Sequence, residues 1–190
     1  MIDLSFFDDP GFIDAQKNKD PYIWKNLIKD VPSWQEVLNA LNDDMLQDKE
    51  VGQRYNFKKL GFCLTSPTAF NHTSEILEEV NKRYGDVYTR IEDDGSFADT
   101  MEGFYKPPMV LCFISLNTVD ASLIEHFDYA NVLHWNIKGK TKYTVKGMTN
   151  TFDDVLDEGD MLFIPSQAMH LPQPLTPRAA ISFVFGRKKQ

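Results

Sequence analysis

At residue 107 the chain changes its hydrophobic period, and that change limits the folds open to it. Upstream, apolar residues recur at helical spacing; downstream they fall into short runs divided by close turn signals. Residues 109–116 form a near-continuous apolar run with the length of a buried strand. Runs at 123–128, 132–137, 141–145, 161–164 and 179–185 follow. Between them lie Lys138-Gly139-Lys140, Lys146-Gly147, Asp157-Glu158-Gly159-Asp160 and Leu175-Thr176-Pro177. Short runs with turns this close point to an antiparallel barrel or sandwich.

The earlier part reads differently. Ser33-Trp34-Gln35-Glu36 is a capping box, and Val37, Leu38, Leu41 and Met45 follow it at helical spacing. A second helix is predicted from Thr73-Ser74-Glu75, with Ile76, Leu77, Val80 and Tyr84 on one face and a stop at Gly85. Residues 55–65 suggest one or two strands, and Asp93-Asp94-Gly95-Ser96 a turn. There is no internal repeat, low-complexity stretch or Gly/Ser linker. The expectation is one mainly β (α+β) domain over 1–190, in which a helical and strand segment, 1–105, wraps a β-core of 106–186.

Composition narrows the function. With 190 residues, 42% apolar and 13% aromatic, the chain has enough material for one sizeable core. Its apolar runs are too short to span a bilayer, and Met1-Ile2-Asp3-Leu4 has no export-signal character. Cys63 and Cys112, each in an apolar run, read as buried free thiols and suggest a reducing, cytoplasmic compartment. A net charge of −8 argues against general nucleic-acid binding, which needs clustered cations. Lys138, Lys140, Lys142 and Lys146 on one hairpin, and Arg187-Lys188-Lys189 at the end, are local exceptions. They read as solvated rims that protect strand edges, with a cationic surface for an acidic partner as the alternative.

The chemistry concentrates in His126-Phe127-Asp128 and His170. In a strand, residues i and i+2 share a side, so His126 and Asp128 should converge while Phe127 faces the other layer. The chain between Asp128 and His170 is long enough to leave the strand, round a barrel and return. Two imidazoles and one carboxylate hold a non-haem Fe(II) on one face and leave its other positions open. His126, Asp128 and His170 are therefore the candidate metal ligands and catalytic centre. A surface ion pair at His126/Asp128 with His170 on a loop is the plainer alternative.

Here the chain resembles a known superfamily. The stretch from His126-Phe127-Asp128 to Ile137-Lys138-Gly139-Lys140-Thr141-Lys142-Tyr143, and Leu156-Asp157-Glu158-Gly159-Asp160-Met161-Leu162-Phe163-Ile164-Pro165 followed by His170, are similar to the two signatures of JmjC-type, cupin-like Fe(II)/2-oxoglutarate oxygenases. Pro21-Tyr22-Ile23-Trp24-Lys25-Asn26-Leu27-Ile28 resembles their N-terminal region, and the main likeness covers about residues 120–186. The resemblance implies a double-stranded β-helix, a cupin-like jelly-roll barrel with the N-terminal helices packed outside. It also implies Fe(II) as cofactor and 2-oxoglutarate as cosubstrate.

A bound keto acid needs a buried cation for its far carboxylate, and Arg suits because its fork pairs a carboxylate bidentately. JmjC members take this cation from the strand after the Gly turn, where this chain has Thr141. The prolyl-hydroxylase-like branch instead places an Arg on the strand after the last histidine, and Arg178 matches that arrangement. Alternation sets Arg178, Ala180 and Ser182 on one face. An interior Arg178 would demand an anion, whereas an Arg at a strand start can also reach solvent. Asn136 matches a JmjC position whose amide touches the keto acid, with an ordinary polar strand residue as the alternative. His134 reads as a core or substrate-facing residue rather than a fourth ligand, and His72 as a capping or surface residue. Tyr105, Tyr129 and Trp135 fit core packing better than pocket lining.

The expected activity is an Fe(II)- and 2-oxoglutarate-dependent oxygenase, a hydroxylase of a protein, peptide or small molecule. Two alternatives stand beside it. One is a cupin metalloenzyme that uses no keto acid, which Thr141 favours. The other is a non-enzymatic binding or structural module, which the complete ligand set disfavours.

Overall fold

A computed structural model of the chain describes residues 2–47, 55–56, 61–64, 70–84, 109–118 and 124–186. After a 3-10 turn at Leu4–Asp8 come helices α1 (Pro10–Asn18), α2 (Trp34–Gln47) and α3 (Thr73–Tyr84). Ten strands are described: β1 (Tyr22–Trp24), β2 (Tyr55–Asn56), β3 (Gly61–Leu64), β4 (Met109–Ser115), β5 (Asn131–Lys138), β6 (Thr141–Lys146), β7 (Thr151–Leu156), β8 (Met161–Ile164), β9 (Met169–Pro174) and β10 (Arg178–Phe185). They form a seven-stranded sheet, β1-β8-β5-β10-β4-β3-β2, and a three-stranded sheet, β7-β6-β9, antiparallel throughout. This is the jelly-roll, cupin-like architecture expected, with helices against the larger sheet.

Two apolar cores follow from strand alternation. Leu133, Trp135 and Ile137 of β5, with Ile181, Phe183 and Phe185 of β10, face the helices and meet Phe12, Val37, Ile76 and Val80. On the opposite faces, Val132, Leu162 and Ile164 meet Tyr143, Val145 and Leu156 of the smaller sheet. A strand covered on both sides should be apolar along its length, and β5 is buried from Asn131 to Ile137. The larger sheet is thus the middle layer. The space between the two sheets, narrow and walled by both, is where any interior chemistry must sit.

The capping box is made: Ser33 N–H and Oγ–H donate to Glu36 Oε2, both at 2.7 Å, and Glu36 N–H donates to Ser33 Oγ at 3.3 Å. The buried stripe of α2 is narrower than expected. Trp34, Val37 and Leu41 pack inward, while Leu38 is 41% exposed. The second predicted helix is α3, with Ile76 and Val80 fully buried. His72 accepts Ile76 N–H at its start (3.0 Å), and its ring lies between Asp30 and Glu75 at 3.4 Å each. Gly85, the turn at 93–96, Tyr105 and the basic residues 187–189 lie outside the described residues.

Two strands were not foreseen. Segment β7 is Thr-Phe-Asp-Asp-Val-Leu with only Leu156 buried, so an edge strand with polar residues gives no alternation to read. Segment β1, three residues long, adds to the free edge of β8. Asp160 holds it there: its carboxylate accepts Asn26 N–H (2.7 Å) and Asp157 N–H (2.9 Å) and pairs with Lys25 Nζ (3.1 Å). The hairpin lysines are also accounted for. Lys138, Lys140, Lys142 and Lys146 pair with Glu158, Asp157, Asp153 and Glu125 at 2.7–3.3 Å, so the expected rim is largely self-neutralised. Among the described residues no helix is long and apolar enough to cross a membrane.

Candidate metal centre

His126, Asp128 and His170 meet at the open end of the space between the sheets. Their donor atoms lie within 4.8 Å of one another, and among the described residues they are the one His/Cys/Asp/Glu group so arranged. His170 is buried, whereas His126 and Asp128 are partly exposed. His170 Nε2 is 3.6 Å from Asp128 Oδ2, and the two imidazole centroids are 4.2 Å apart.

How they converge corrects the expected strand at 123–128. Among the described residues, 124–128, no continuous strand forms: His126 makes a single antiparallel bridge with His170. The reason lies in β9. Because His170 points its N–H and C=O at His126, the alternate residues Pro172 and Pro174 point the same way, and proline has no N–H to give. The next rung, Ile124 with Pro172, cannot be completed. On the other side the β8–β9 turn takes over. Gln167 N–H donates to the Asp128 carbonyl (2.7 Å), Ser166 Oγ–H to the Tyr129 carbonyl (2.6 Å), and Ser166 N–H to Asn131 Oδ1 (2.9 Å). Phe127, expected in the opposite layer, is instead 42% exposed and packs edge-on against Tyr129 at 5.2 Å.

The ring orientations suit metal ligation. Nδ1–H of His126 donates to the Ile124 carbonyl (2.9 Å), and Nδ1–H of His170 to the Ala168 carbonyl (3.0 Å). A carbonyl only accepts, so each proton sits on Nδ1 and each Nε2 keeps its lone pair. Burial holds the His170 imidazole below its usual range, partly offset by the Ala168 bond and Asp128. An oriented histidine pair beside a carboxylate fits a divalent first-row ion.

Arg178 lies inside, not in solvent. It is 4% exposed, and its Nε and Nη1 are buried with no hydrogen-bond partner among the described residues. Around it the fold collects polar groups that the sequence did not single out together. His134, 2% exposed, brings Nδ1 to 3.0 Å from Ser182 Oγ and 3.5 Å from the Tyr143 hydroxyl. Burial, with the nearby charges of Arg178 and His170, keeps the His134 imidazole well below its ordinary value. Burial raises the Tyr143 phenol, while Arg178 beside it pulls the other way. The signal for Tyr143 was available: Thr141, Tyr143 and Val145 alternate inward on β6.

Asn136 takes a different place from the one expected of it. Its amide N–H donates to the Gly139 carbonyl (2.7 Å), and its Oδ1 accepts from Thr141 Oγ1 (3.4 Å). The side chain is directed at the β5–β6 turn and locks it, rather than at the three ligands. Thr141, fully buried, supplies no cation at the position JmjC members use. Trp135 is core on the helix side, and Tyr129 is 54% exposed.

A jelly roll with a His-x-Asp…His centre at its mouth is a cupin-type arrangement. Residues 138–190 match the model of the JmjC domain. Solved structures of YcfD, a ribosomal oxygenase from Escherichia coli, are similar in fold. One in complex with cobalt and 2-oxoglutarate has a TM-score of 0.54 at 16% identity, covering 95% of this chain and 52% of that one. A second has a TM-score of 0.57 at 14% identity, covering 96% and 54%, and one with cobalt and succinic acid gives 0.54 at 15%. This chain spans about half the length of those proteins. No curated protein matches it in sequence.

Proposed function

We propose that the chain is an Fe(II)- and 2-oxoglutarate-dependent oxygenase, a hydroxylase of a protein, peptide or small molecule. One observation carries the reading: Arg178, a full charge with two nitrogens that have no partner among the described residues, is buried in the same interior as His126, His170 and Asp128. A buried, unpaired guanidinium costs several kcal/mol unless an anion joins it, and a 2-oxo dicarboxylate is an anion that also chelates a metal. His126, Asp128 and His170 would hold iron, which supplies oxidative decarboxylation of the keto acid and activation of dioxygen. The chain's own work is to orient both ligands, exclude water on the Arg178 side, and leave the Asp128 side open to substrate.

Support for the cosubstrate comes from Arg178 standing in for the missing cation at Thr141. The complexes of YcfD with cobalt, 2-oxoglutarate and succinic acid lend weight at the level of fold. A reducing, cytoplasmic setting suits a chain with two cysteines among its 190 residues. The second reading, a cupin metalloenzyme without a keto acid, rests on the uncharged Thr141. Anaerobic loading with Fe(II) and 2-oxoglutarate tests the choice. A charge-transfer absorption lost in His170→Ala and weakened in Arg178→Ala is the expected result. Iron bound without that absorption, and no succinate in air, would favour the second reading.

A further inference from the structure

A cavity of about 120 Å³ lies apart from the metal centre but is built on the turn that supports it. Ser166, Gln167 and Ala168 line it, and their hydrogen bonds run to the ligand segments. Gln167 N–H holds the Asp128 carbonyl, Ser166 Oγ–H holds the Tyr129 carbonyl, and the Ala168 carbonyl takes the His170 ring. The β6–β7 turn adds Gly147 and its neighbours, and the end of α1 adds Lys19. Those two pieces are tied together. Met148 N–H donates to the Lys19 carbonyl (3.2 Å), and Asp20, 5% exposed, accepts Thr149 N–H (2.7 Å) and Asn150 N–H (3.1 Å).

Two of the lining residues hold a conformation that glycine would take more cheaply. Lys19 has φ +56 and Gln167 φ +67, two of the four left-handed non-glycine residues described. Backbone of this kind is costly outside glycine and gathers where a ligand is held. Both places carry a long polar side chain instead. The lining includes two cations, Lys19 and Lys146, and no acid, although the chain's net charge is −8. Lys146 is already paired with Glu125 at 2.7 Å. Lys19 forms no ion pair among the described residues, because Asp20 beside it is turned to the β6–β7 turn.

Size and donors then select the ligand. A cavity of about 150 Å³ can hold benzene, so this one has room for an acid group on a short stem and not for a sugar or nucleotide. The backbone N–H groups around it are spent: Gly147's on Asn150, Met148's on Lys19, Gln167's on Asp128 and Ala168's on Pro165. No N–H cradle of the kind that receives phosphate remains. What remains is ammonium, which suits a carboxylate.

We propose that this cavity binds a carboxylate carried on a short stem, with Lys19 as its cation, and thereby anchors an acidic prime substrate beside Asp128. Binding of the carboxylate stands on the cavity alone, whereas its use as a substrate anchor rests on the oxygenase reading. A ligand that fills the cavity and also reaches the metal must pass over Gln167. The anchored carboxylate is therefore set apart from the carbon that reacts.

The test follows backbone amide NMR signals of Zn(II)-loaded protein during titration with N-acetylglutamate α-amide. Its uncharged counterpart, N-acetylglutamine α-amide, is the control. The acid should move the signals of Gly147, Gln167 and Ala168 and leave those of β10 in place, and it should bind more tightly than the control. Lys19→Asn removes the charge with a residue that accepts left-handed backbone, and should weaken the acid about two- to five-fold, the range for an exposed ion pair. Lys19→Arg should retain it. Equal binding of the two probes, shifts confined to β10, or an affinity indifferent to Lys19→Asn would overturn the site. If these results hold but Fe(II) and 2-oxoglutarate give no charge-transfer absorption, the carboxylate site stands and its role as a substrate anchor falls.

Discussion

His126 and His170 hold each other by their backbones: each N–H donates to the other's carbonyl, at 3.1 and 2.7 Å. The two candidate ligands farthest apart in sequence are thus joined without any metal, and the rings they carry lie side by side. Preorganisation of this kind lowers the ordering cost of binding an ion. Asp128 lacks such a reciprocal bridge and depends on one bond from Gln167 N–H.

That dependence gives a prediction. Gln167 has φ +67, a left-handed conformation that glycine accepts freely and proline cannot adopt. Gln167→Gly should keep Co(II) affinity. Gln167→Pro removes the N–H and the conformation together, and should cost about 10–100-fold in metal affinity, as losses of outer support do. Equal affinity in the two variants, by titration of the cobalt absorption bands, would refute the role given to this turn.

Arg178 sets up a trade between stability and ligand binding. In anion-free protein, Arg178→Met removes a buried charge two of whose nitrogens have no hydrogen-bond partner among the described residues. Thermal stability should then stay level or rise by up to about 1–4 kcal/mol. The stabilisation that 2-oxoglutarate or succinate confers on the metal-loaded protein should disappear in the same variant. A large drop in the midpoint of the anion-free variant would show that Arg178 is a structural residue.

The β5–β6 turn tolerates no side chain at Gly139. Its φ is +71, and an added Cβ would lie 2.0 Å from the Pro177 carbonyl and 2.6 Å from Thr176 Oγ1. Left-handed backbone alone costs about 1–2 kcal/mol, and the backbone contact adds to it. Gly139→Ala should lower stability by about 2–4 kcal/mol, or on the order of 5–15 °C in midpoint. A shift under about 2 °C would mean the turn relaxes freely.

Acid should loosen the interior before it titrates the ordinary carboxylates. Burial is the main cause of low imidazole values at both His134 and His170. Between those lowered folded values and the unfolded value near 6.5, the unfolded chain binds more protons than the folded one. Stability is therefore fully present above about 6.5 and is lost as pH falls through the folded values. Urea midpoints of the metal-free protein should decline from about pH 7 to 5.5, and His134→Gln should flatten that decline. An unchanged slope would place the titrating group elsewhere.

Local signals carried far in this chain. The capping box at Ser33, the alternation on β6 and the apolar run of β8 are decided by neighbours a few residues away, so they could be read directly. The types and order of His126, Asp128 and His170 were equally plain. Segment β7 and the bridge at His126 were not, because their form depends on which strand lies alongside. Pro172 is visible in the sequence, but that it stands opposite Ile124 is not. Leu38 shows the same limit: helical spacing marks an apolar stripe, while the neighbours decide how wide a stripe is covered.

The sequence by itself determined the chemistry on offer: an antiparallel β-core, two imidazoles with a carboxylate, and an Arg eight residues beyond the last histidine. Whether that Arg faced water or the interior was decided only when β10 took its place between β4 and β5. The same packing set His134 and Tyr143 around it and turned Asn136 to the hairpin. Side-chain periodicity fixes which residues share a face, but burial of a charge depends on what the opposite sheet brings against that face, and such contacts join residues distant along the chain.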